Sequence, residues 1–536
     1  MSGRRTVGLL VTSMAVGFGG AAAFEVTTIP VVIPSEPVIP SEAPALRSAS
    51  DEGRDRSRPG RETRTTEQPT RPRNVVIILS DDHRYDFMSF SGRAPAFLQT
   101  PSLDRMAAGG AHIRNAFVTT SLCSPSRASI LTGQYAHRHG VVDNTSPIPR
   151  GTVFFPQHLE RAGYATAYVG KWHMGEDEGS DQPRPGFGHW ISFRGQGVYV
   201  NPTLNVNGRS SRVTGYTSDV LTDSAVAWLS RQATGASAQP FFMIVAHKAT
   251  HPEFVPPPRY ATLYDTARIP NPPTMSNTEA NYREKPRWVR AQRGSWHGVD
   301  YAYHGTLDFD DFYRSYAETL RGMDDGIGRV LHELERSGLA RSTLVLYMSD
   351  NGFMLGEHGL IDKRNAYEES IRIPMVAWAP GWITPGTKVD TIVRNIDIAP
   401  TVLDLAGIRW PDSVAVDGRS VLNAFRGGAP AAPRERASGD LLYEYYWEYA
   451  FPHTPTTFAL RGDRFKYIYY HGIWDLAELY DLRTDTLEQA NLVNVPAYRD
   501  TVRAMRARLF DRLSTTGGMN VPLRRGDWQA AERKEP

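Results

Sequence analysis

The sequence predicts an α/β fold: a largely parallel, doubly wound central sheet flanked by helices. Three observations carry this expectation. Residues 74–80, Asn-Val-Val-Ile-Ile-Leu-Ser, form a continuous apolar run of strand length, as in a strand buried on both faces. Comparable runs recur at 164–169, 241–246 and 343–348, with helical stretches between them. Each run leads at once into polar residues: Asp81-Asp82, Lys171 and His173, His247 and His251, and Asp350-Asn351. Ligands of open α/β sheets bind outside the carboxyl ends of the strands, so four polar clusters at that edge predict one site.

The other elements follow in order. Residues 102–109 read as a helix, with Ser102 and Asp104 suited to its first turn. Phe117-Val118 leads into Ser121-Leu-Cys-Ser-Pro-Ser-Arg127, then a helical 128–131 and Gly133. Residues 219–229 and the amphipathic 316–334 read as helices. Beyond about residue 430 the texture changes. Segments 457–461 and 464–469 alternate like hairpin strands around Gly462-Asp463; 478–482 follows, and 498–513 is helical. This predicts a small C-terminal antiparallel sheet with a helix.

A chain of 536 residues can hold one large core and a smaller unit, and a net charge of +2 gives no reason to invoke nucleic acid. Arg4 and Arg5 precede an apolar run, 7–23, that is rich in Gly and Ala and ends Ala21-Ala22-Ala23. Residues 1–23 therefore read as an export signal, with the arginine pair raising the twin-arginine route. Residues 24–73, first Pro-rich and then charged and Arg-rich, read as a disordered linker that cannot bury enough surface to offset its ordering entropy. No later segment is apolar enough for long enough to span a bilayer, so the mature chain is expected to be exported (periplasmic, secreted or lumenal) without a transmembrane segment. The expected organisation is completed by a catalytic domain over 74–430 and a C-terminal subdomain over 431–536. The single cysteine, Cys123, rules out an internal disulfide.

The polar clusters suggest chemistry. Asp81, Asp82, Asp350 and the amide of Asn351 are hard oxygen ligands, and three acids in one pocket repel unless a cation is present. Oxygen-only ligation favours Ca²⁺ or Mg²⁺ over Zn²⁺. Each acidic pair could equally cap a following helix. His247 and His251 have a zinc-helix spacing, but they follow a strand and precede Pro252, which argues against a helix there. Pro125 and the serines around it suit a helix start at Cys123, where free N–H groups attract anions, and Arg127 four residues on would share its face. A lone cysteine is otherwise a small buried hydrophobe. Lys171 and His173, two apart, would point the same way if strand geometry continued. Lys363, taken alone, reads as a solvated loop charge.

The segment Cys123-Ser-Pro-Ser-Arg127-Ala-Ser-Ile-Leu-Thr-Gly133 resembles the Cys-x-Pro-Ser-Arg signature of formylglycine-dependent sulfatases. Asp81-Asp82, Gly170-Lys171-Trp172-His173, Asp350-Asn351-Gly352 and 363–374 fall in the same family order, and the resemblance covers roughly 74–492. Stretches 123–144 and 351–369 are most similar to glucosamine-6-sulfatase-like enzymes acting on sulfated glycans.

The resemblance implies an alkaline-phosphatase-like fold and a maturation enzyme that oxidises Cys123 to formylglycine. It implies that one hydroxyl of the hydrated aldehyde, on Ca²⁺ (or Mg²⁺), attacks sulfur, and that the second then loses its proton to expel sulfate. Carried over residue by residue, Asp81, Asp82, Asp350, Asn351 and the modified Cys123 would hold the metal. Arg127 would orient the diol and a metal-bound carboxylate, and Lys171 and Lys363 would neutralise the sulfuryl group. His173 would accept the diol proton, and His251 would face the leaving-group oxygen as general acid.

The expected substrate is a sulfated carbohydrate such as N-acetylglucosamine 6-sulfate, with Trp190, Tyr199, Tyr445 and Trp447 as candidate sugar-stacking rings. The alternatives are an arylsulfatase, a phosphate-ester hydrolase of the same superfamily, or an inactive glycan-binding relative. The phosphate-ester enzymes often place His where this chain has Asn351.

Overall fold

The computed structural model of the chain describes residues 71–175, 180–234, 239–301, 308–429 and 439–521. The expected export segment, residues 24–70 of the expected linker and the expected boundary at 430–431 lie outside the described residues.

The central sheet has ten strands among the described residues, in the order β11-β2-β10-β9-β1-β8-β4-β5-β6-β7. These are β1 (Asn74–Ser80), β2 (Ala111–Ile113), β4 (Ala165–Lys171), β5 (His189–Phe193), β6 (Thr203–Val206), β7 (Arg209–Arg212), β8 (Phe241–Ala246), β9 (Thr343–Ser349), β10 (Met375–Trp378) and β11 (Thr387–Val389). The four apolar runs make the contiguous parallel heart β9-β1-β8-β4, with β1 in register with β8 (Ile77 beside Ile244) and β9 (Ile77 beside Leu346). On one side β10 runs antiparallel to β9 and is followed by β2 and β11; on the other, β6 runs antiparallel to β5 and β7 antiparallel to β6. β3 (Ala116–Phe117) and β12 (Val393–Arg394) form a separate parallel pair.

The continuous apolar character of β1 has its reason in the layers around it. Val75, Ile77 and Leu79 join one core cluster, Val76 and Ile78 the other, so both faces are covered. The helices Thr217–Thr234 and Phe309–Arg336 pack on the second face; the first buries Leu229 there and the second Tyr316, Leu320, Met323 and Ile327.

The C-terminal portion is a four-stranded antiparallel sheet of β13 (Leu441–Tyr445), β14 (Thr457–Arg461), β15 (Phe465–Tyr470) and β16 (Glu478–Asp481), with the helix Arg499–Thr516 against it. β13, a strand the sequence reading did not anticipate, pairs with β14. It is anchored to the rest by the buried pair of Glu444 on β13 and His137, whose Nδ1 lies 2.7 Å from Glu444 Oε2.

Candidate active site

The strand ends bring the polar clusters together. Asp81 and Asp82 directly follow β1 and Asp350 follows β9. Because those strands are hydrogen-bonded neighbours in register, Ser80 beside Ser349, their carboxylates converge. Candidate ligand atoms of Asp81, Asp82 and Asp350 lie within 4.8 Å of one another, and all three residues are buried. Asp82 has a left-handed backbone, φ 62°, rare outside glycine, and its N–H donates to Asp350 Oδ1 at 3.2 Å.

The helix Cys123–Thr132 starts at the nucleophile candidate itself, with Leu122 as its N-cap in extended conformation and Gly133 closing it at φ 68°. Cys123 is therefore in the first turn, where backbone N–H groups favour negative charge. Its Sγ lies 3.4 Å from Asp81 Oδ1 and 2.9 Å from Lys363 Nζ. Arg127, one turn on, donates through Nε to Asp350 Oδ2 (2.8 Å) and through Nη1 to the Lys171 carbonyl (2.5 Å), and its Nη2 also lies 2.8 Å from Asp350 Oδ2. Lys171 ends β4; its ammonium pairs with Asp81 Oδ2 and donates to Gln196 Oε1 at 2.5 Å. Lys363 is buried, not solvated, and also donates to Asp82 Oδ1 at 2.5 Å.

His173 reaches the site by a route that strand spacing does not describe. The strand stops at Lys171, and His173 turns left-handed at φ 53°. Its Nδ1 is 3.4 Å from Ser124 Oγ, beside the nucleophile candidate, while its Nε2 is buried without a hydrogen-bond partner among the described residues. His251 is partly exposed and contributes a ring nitrogen to a cluster with Asp81 and Cys123 whose atoms lie within 4.8 Å of one another. Its Nδ1 contacts the Pro252 carbonyl. Residues 247–251 are not helical, in keeping with the expectation from Pro252. His247 is not part of that cluster; its ring is buried and sits 3.7 Å from where a Cβ on Gly326 would lie.

The electrostatics show a donor set that calls for a cation. Burial drives the Asp81 carboxyl up, but Lys171, His251, Arg127 and Lys363 together outweigh it and hold the group well below the usual range. Burial, and then the neighbouring Asp81 charge, push Asp350 up to about 7; burial also raises Asp82, against the pull of Lys363. Two buried acceptors, Asp82 Oδ2 and Asn351 Oδ1, have no hydrogen-bond partner among the described residues. Orphaned hard oxygens beside carboxyls that resist ionisation fit a divalent ion of the Ca²⁺ or Mg²⁺ type. Burial, reinforced by Asp81, pushes the Cys123 thiol up to about 12, so a thiolate is not available near neutral pH.

Three of the four proposed sugar-stacking rings are buried. Trp190 is fully buried, stacked on Tyr168 (centroids 5.0 Å apart), with its Nε1 donating to the Asp181 carbonyl. Tyr445 is fully buried, its hydroxyl 2.9 Å from Glu448 Oε1. Tyr199 is buried and donates to the His251 carbonyl at 2.6 Å, fixing that residue from behind. Trp447 is 38% exposed and stays available.

Lys248 was missed in the sequence. It is buried with its Nζ 4.7 Å over the Tyr199 ring, and burial, then the Lys171 charge, push its ammonium down to about 8. Its signal was its position between His247 and His251, after a strand that ends in a polar cluster.

Residues 73–408 match the sulfatase family profile, and residues 356–515 match the profile of the N-sulphoglucosamine sulphohydrolase C-terminal region. An N-acetylglucosamine-6-O-sulfatase of Bacteroides thetaiotaomicron is 30% identical over 487 residues, covering 81% of this chain and 84% of that protein. The N-acetylglucosamine-6-sulfatase of Homo sapiens is 30% identical over 400 residues, covering 71% of this chain and 68% of that one. A solved structure of a protein in complex with its substrate D-glucosamine-2-N,6-O-disulfate superposes with a TM-score of 0.73 at 28% identity, over 84% of this chain and 99% of the other.

Proposed function

The chain belongs to the sulfatase family of sulfuric ester hydrolases, and from this premise we propose that it removes sulfate from a sulfated carbohydrate, such as N-acetylglucosamine 6-sulfate, using residue 123 oxidised from cysteine to formylglycine. The observation that carries this reading is the placement of Cys123. It is buried in the first turn of an anion-favouring helix, between an acidic trio and two lysines, with its thiol held protonated. Glycan sulfatases among the relatives support the substrate class.

Asp81, Asp82, Asp350 and Asn351, with residue 123, would hold a divalent cation, which supplies positive charge to the nucleophile and to a sulfuryl oxygen. Formylglycine supplies, once hydrated, one hydroxyl to attack sulfur and a second whose deprotonation expels sulfate. The remaining work belongs to the chain's own side chains. Lys171 and Lys363, already within contact of Asp81 and Cys123, are placed to stabilise charge that grows on the transferring group. Arg127 fixes Asp350 and the end of β4 in one bidentate grip. His173, held beside Ser124 and kept neutral chiefly by burial and then by Lys171, is a base for the second hydroxyl. His251, clustered with Asp81 and Cys123, would face the leaving oxygen as general acid. Export to the periplasm, the cell exterior or a lumen is part of the same proposal.

The test is mass spectrometry of the Cys123 peptide beside sulfate release from a panel of sulfated sugars. Active preparations should carry a carbonyl in place of the thiol, and activity should scale with that fraction. Rapid turnover by fully thiol-reactive protein would overturn the mechanism. Release from aryl sulfates alone would overturn the substrate.

A further inference from the structure

We propose that the open groove between the helix Arg287–Ala291 and the 473–476 turn is a second carbohydrate site, one that holds a sulfated glycan chain away from the reacting ester. The inference rests on the reading that the substrate is a sulfated carbohydrate.

The groove encloses about 930 Å³ and is lined by Arg283, Arg287, Arg290 and Trp474, with Glu279 and Asp475 as its acids. Trp474 is fully exposed, 106%, and has no ring or hydrogen-bond partner among the described residues. A single exposed apolar side chain is ordinary. An exposed indole in a groove that three arginines also line is not, in a chain whose net charge is only +2.

The acids in the groove are already engaged. Asp475 accepts the Arg287 backbone N–H at 2.7 Å through Oδ2 and the Leu476 N–H at 2.8 Å through Oδ1. Glu279 lies 3.3 Å from Arg290, whose guanidinium also rests 5.3 Å over the Tyr282 ring. The guanidiniums of Arg283 and Arg287, both exposed, have no acidic partner among the described residues. Two open forks and a flat apolar ring suit one ligand class: a pyranose whose C–H face stacks on the indole while its sulfate or carboxylate groups take the forks.

Position supports a link to catalysis. Tyr282, in the groove wall, donates its hydroxyl to the His358 carbonyl at 2.7 Å, and the chain runs from there to Lys363. A glycan held in the groove keeps its other residues at high effective concentration near the site.

The experiment uses matured full-length enzyme, wild type against Trp474→Ala and the double variant Arg283→Ser/Arg287→Ser. The probes are a fluorescently labelled, fully sulfated glucosamine–uronate octasaccharide and 4-nitrophenyl sulfate. Each variant should raise KM for the octasaccharide about tenfold with kcat unchanged, and leave turnover of 4-nitrophenyl sulfate at the wild-type value. The arginine variant should also flatten the salt dependence of octasaccharide binding measured by anisotropy. Wild-type KM in both variants overturns the proposal, as do equal losses on both substrates, which would mark a distorted fold. Equal competition by duplex DNA of the same charge would reduce the groove to a general polyanion patch and overturn the assignment. If wild type releases no sulfate from any substrate, the functional reading fails instead. Anisotropy then decides the groove alone: weaker binding by Trp474→Ala upholds it, and unchanged binding overturns it.

Discussion

Replacing Arg127 by Met should damage stability and turnover together, and a divalent cation should partly repair the first. In the wild type, Asp350 Oδ2 takes two contacts of 2.8 Å from this guanidinium, and the Lys171 carbonyl takes a third of 2.5 Å. Each bond to a charged group contributes about 1.5–3 kcal/mol, and breaking a buried ion pair from one side costs about 3–5 kcal/mol. The two estimates describe the same loss, so about 3–5 kcal/mol is expected, not their sum. In a chain of this size that is a drop of roughly 3–5 °C in melting midpoint. The cause is uncompensated charge: Asp350, already pushed up to about 7 by burial and then Asp81, loses the cation that opposes this. Added Ca²⁺ should therefore raise the midpoint of the variant more than that of wild type. Arg127→Lys, which keeps the charge but cannot grip Asp350 and the carbonyl together, should recover part of the midpoint and less of the rate. Turnover of an aryl sulfate should fall on the order of 10²–10³-fold in Arg127→Met. Differential scanning fluorimetry with and without chelator, beside a sulfate-release assay, reads all of this. A variant that melts within about 1 °C of wild type and turns over normally would refute the reasoning.

Other outcomes follow from the same geometry. Chelation should abolish turnover and Ca²⁺ or Mg²⁺ should restore it; full activity in protein shown metal-free by elemental analysis would remove the cation from the site built by Asp81, Asp82 and Asp350. His251→Ala should lose on the order of 10²–10³-fold more rate on a sugar sulfate than on 4-nitrophenyl sulfate, because a sugar alkoxide needs a proton and a nitrophenolate does not; equal losses would exclude the general-acid role. Stability should also depend on pH through His137 and Glu444. Burial pushes His137 down, but Glu444 and the Thr516 carbonyl outweigh it and raise it above 6.5, so its stabilising share is full below 6.5 and fades as pH climbs through the raised value. Burial raises Glu444, but His137 and Tyr446 outweigh it and lower it below 4.5, so its share is full above 4.5 and fades in acid. The melting-temperature gap between wild type and Glu444→Gln should thus be widest at about pH 4.5–6.5 and narrower at pH ~8.5; a gap independent of pH would show that the pair acts only as a neutral hydrogen bond.

Much of the fold was legible because burial on both faces leaves a one-dimensional trace. β1, β4, β8 and β9 are unbroken apolar runs, and each ends where its polar residues begin. The edge strands were harder to read. β2, β11 and β12 have two or three residues each, too short for a period, and β7 is exposed along its whole length. The helix at Cys123 was anticipated from Pro125 and its serines. The helix Thr217–Thr234 outruns the predicted 219–229 because its ends, Thr217-Ser218 and Ser230-Arg231-Gln232, are polar and carry no apolar signal.

The sequence by itself determined which residue types meet at the strand ends, since chain order and strand direction put Asp81, Lys171, His251 and Asp350 on one edge of a parallel sheet. Only the tertiary structure decided how they act. Lys363 reads as a loop charge until a contact spanning 281 positions puts it on Asp82, and a neighbouring one puts it on Cys123. Trp190 and Tyr445 read as sugar platforms until packing closes over them, while Trp474 stays in water. Lys248 acquires its lowered pKa only from the burial and charge that other strands bring to it. The physical reason is common to all of these. Local pattern records a residue's own preference for water or for a backbone shape, whereas desolvation and pairing energies depend on which distant side chains fill the space around it.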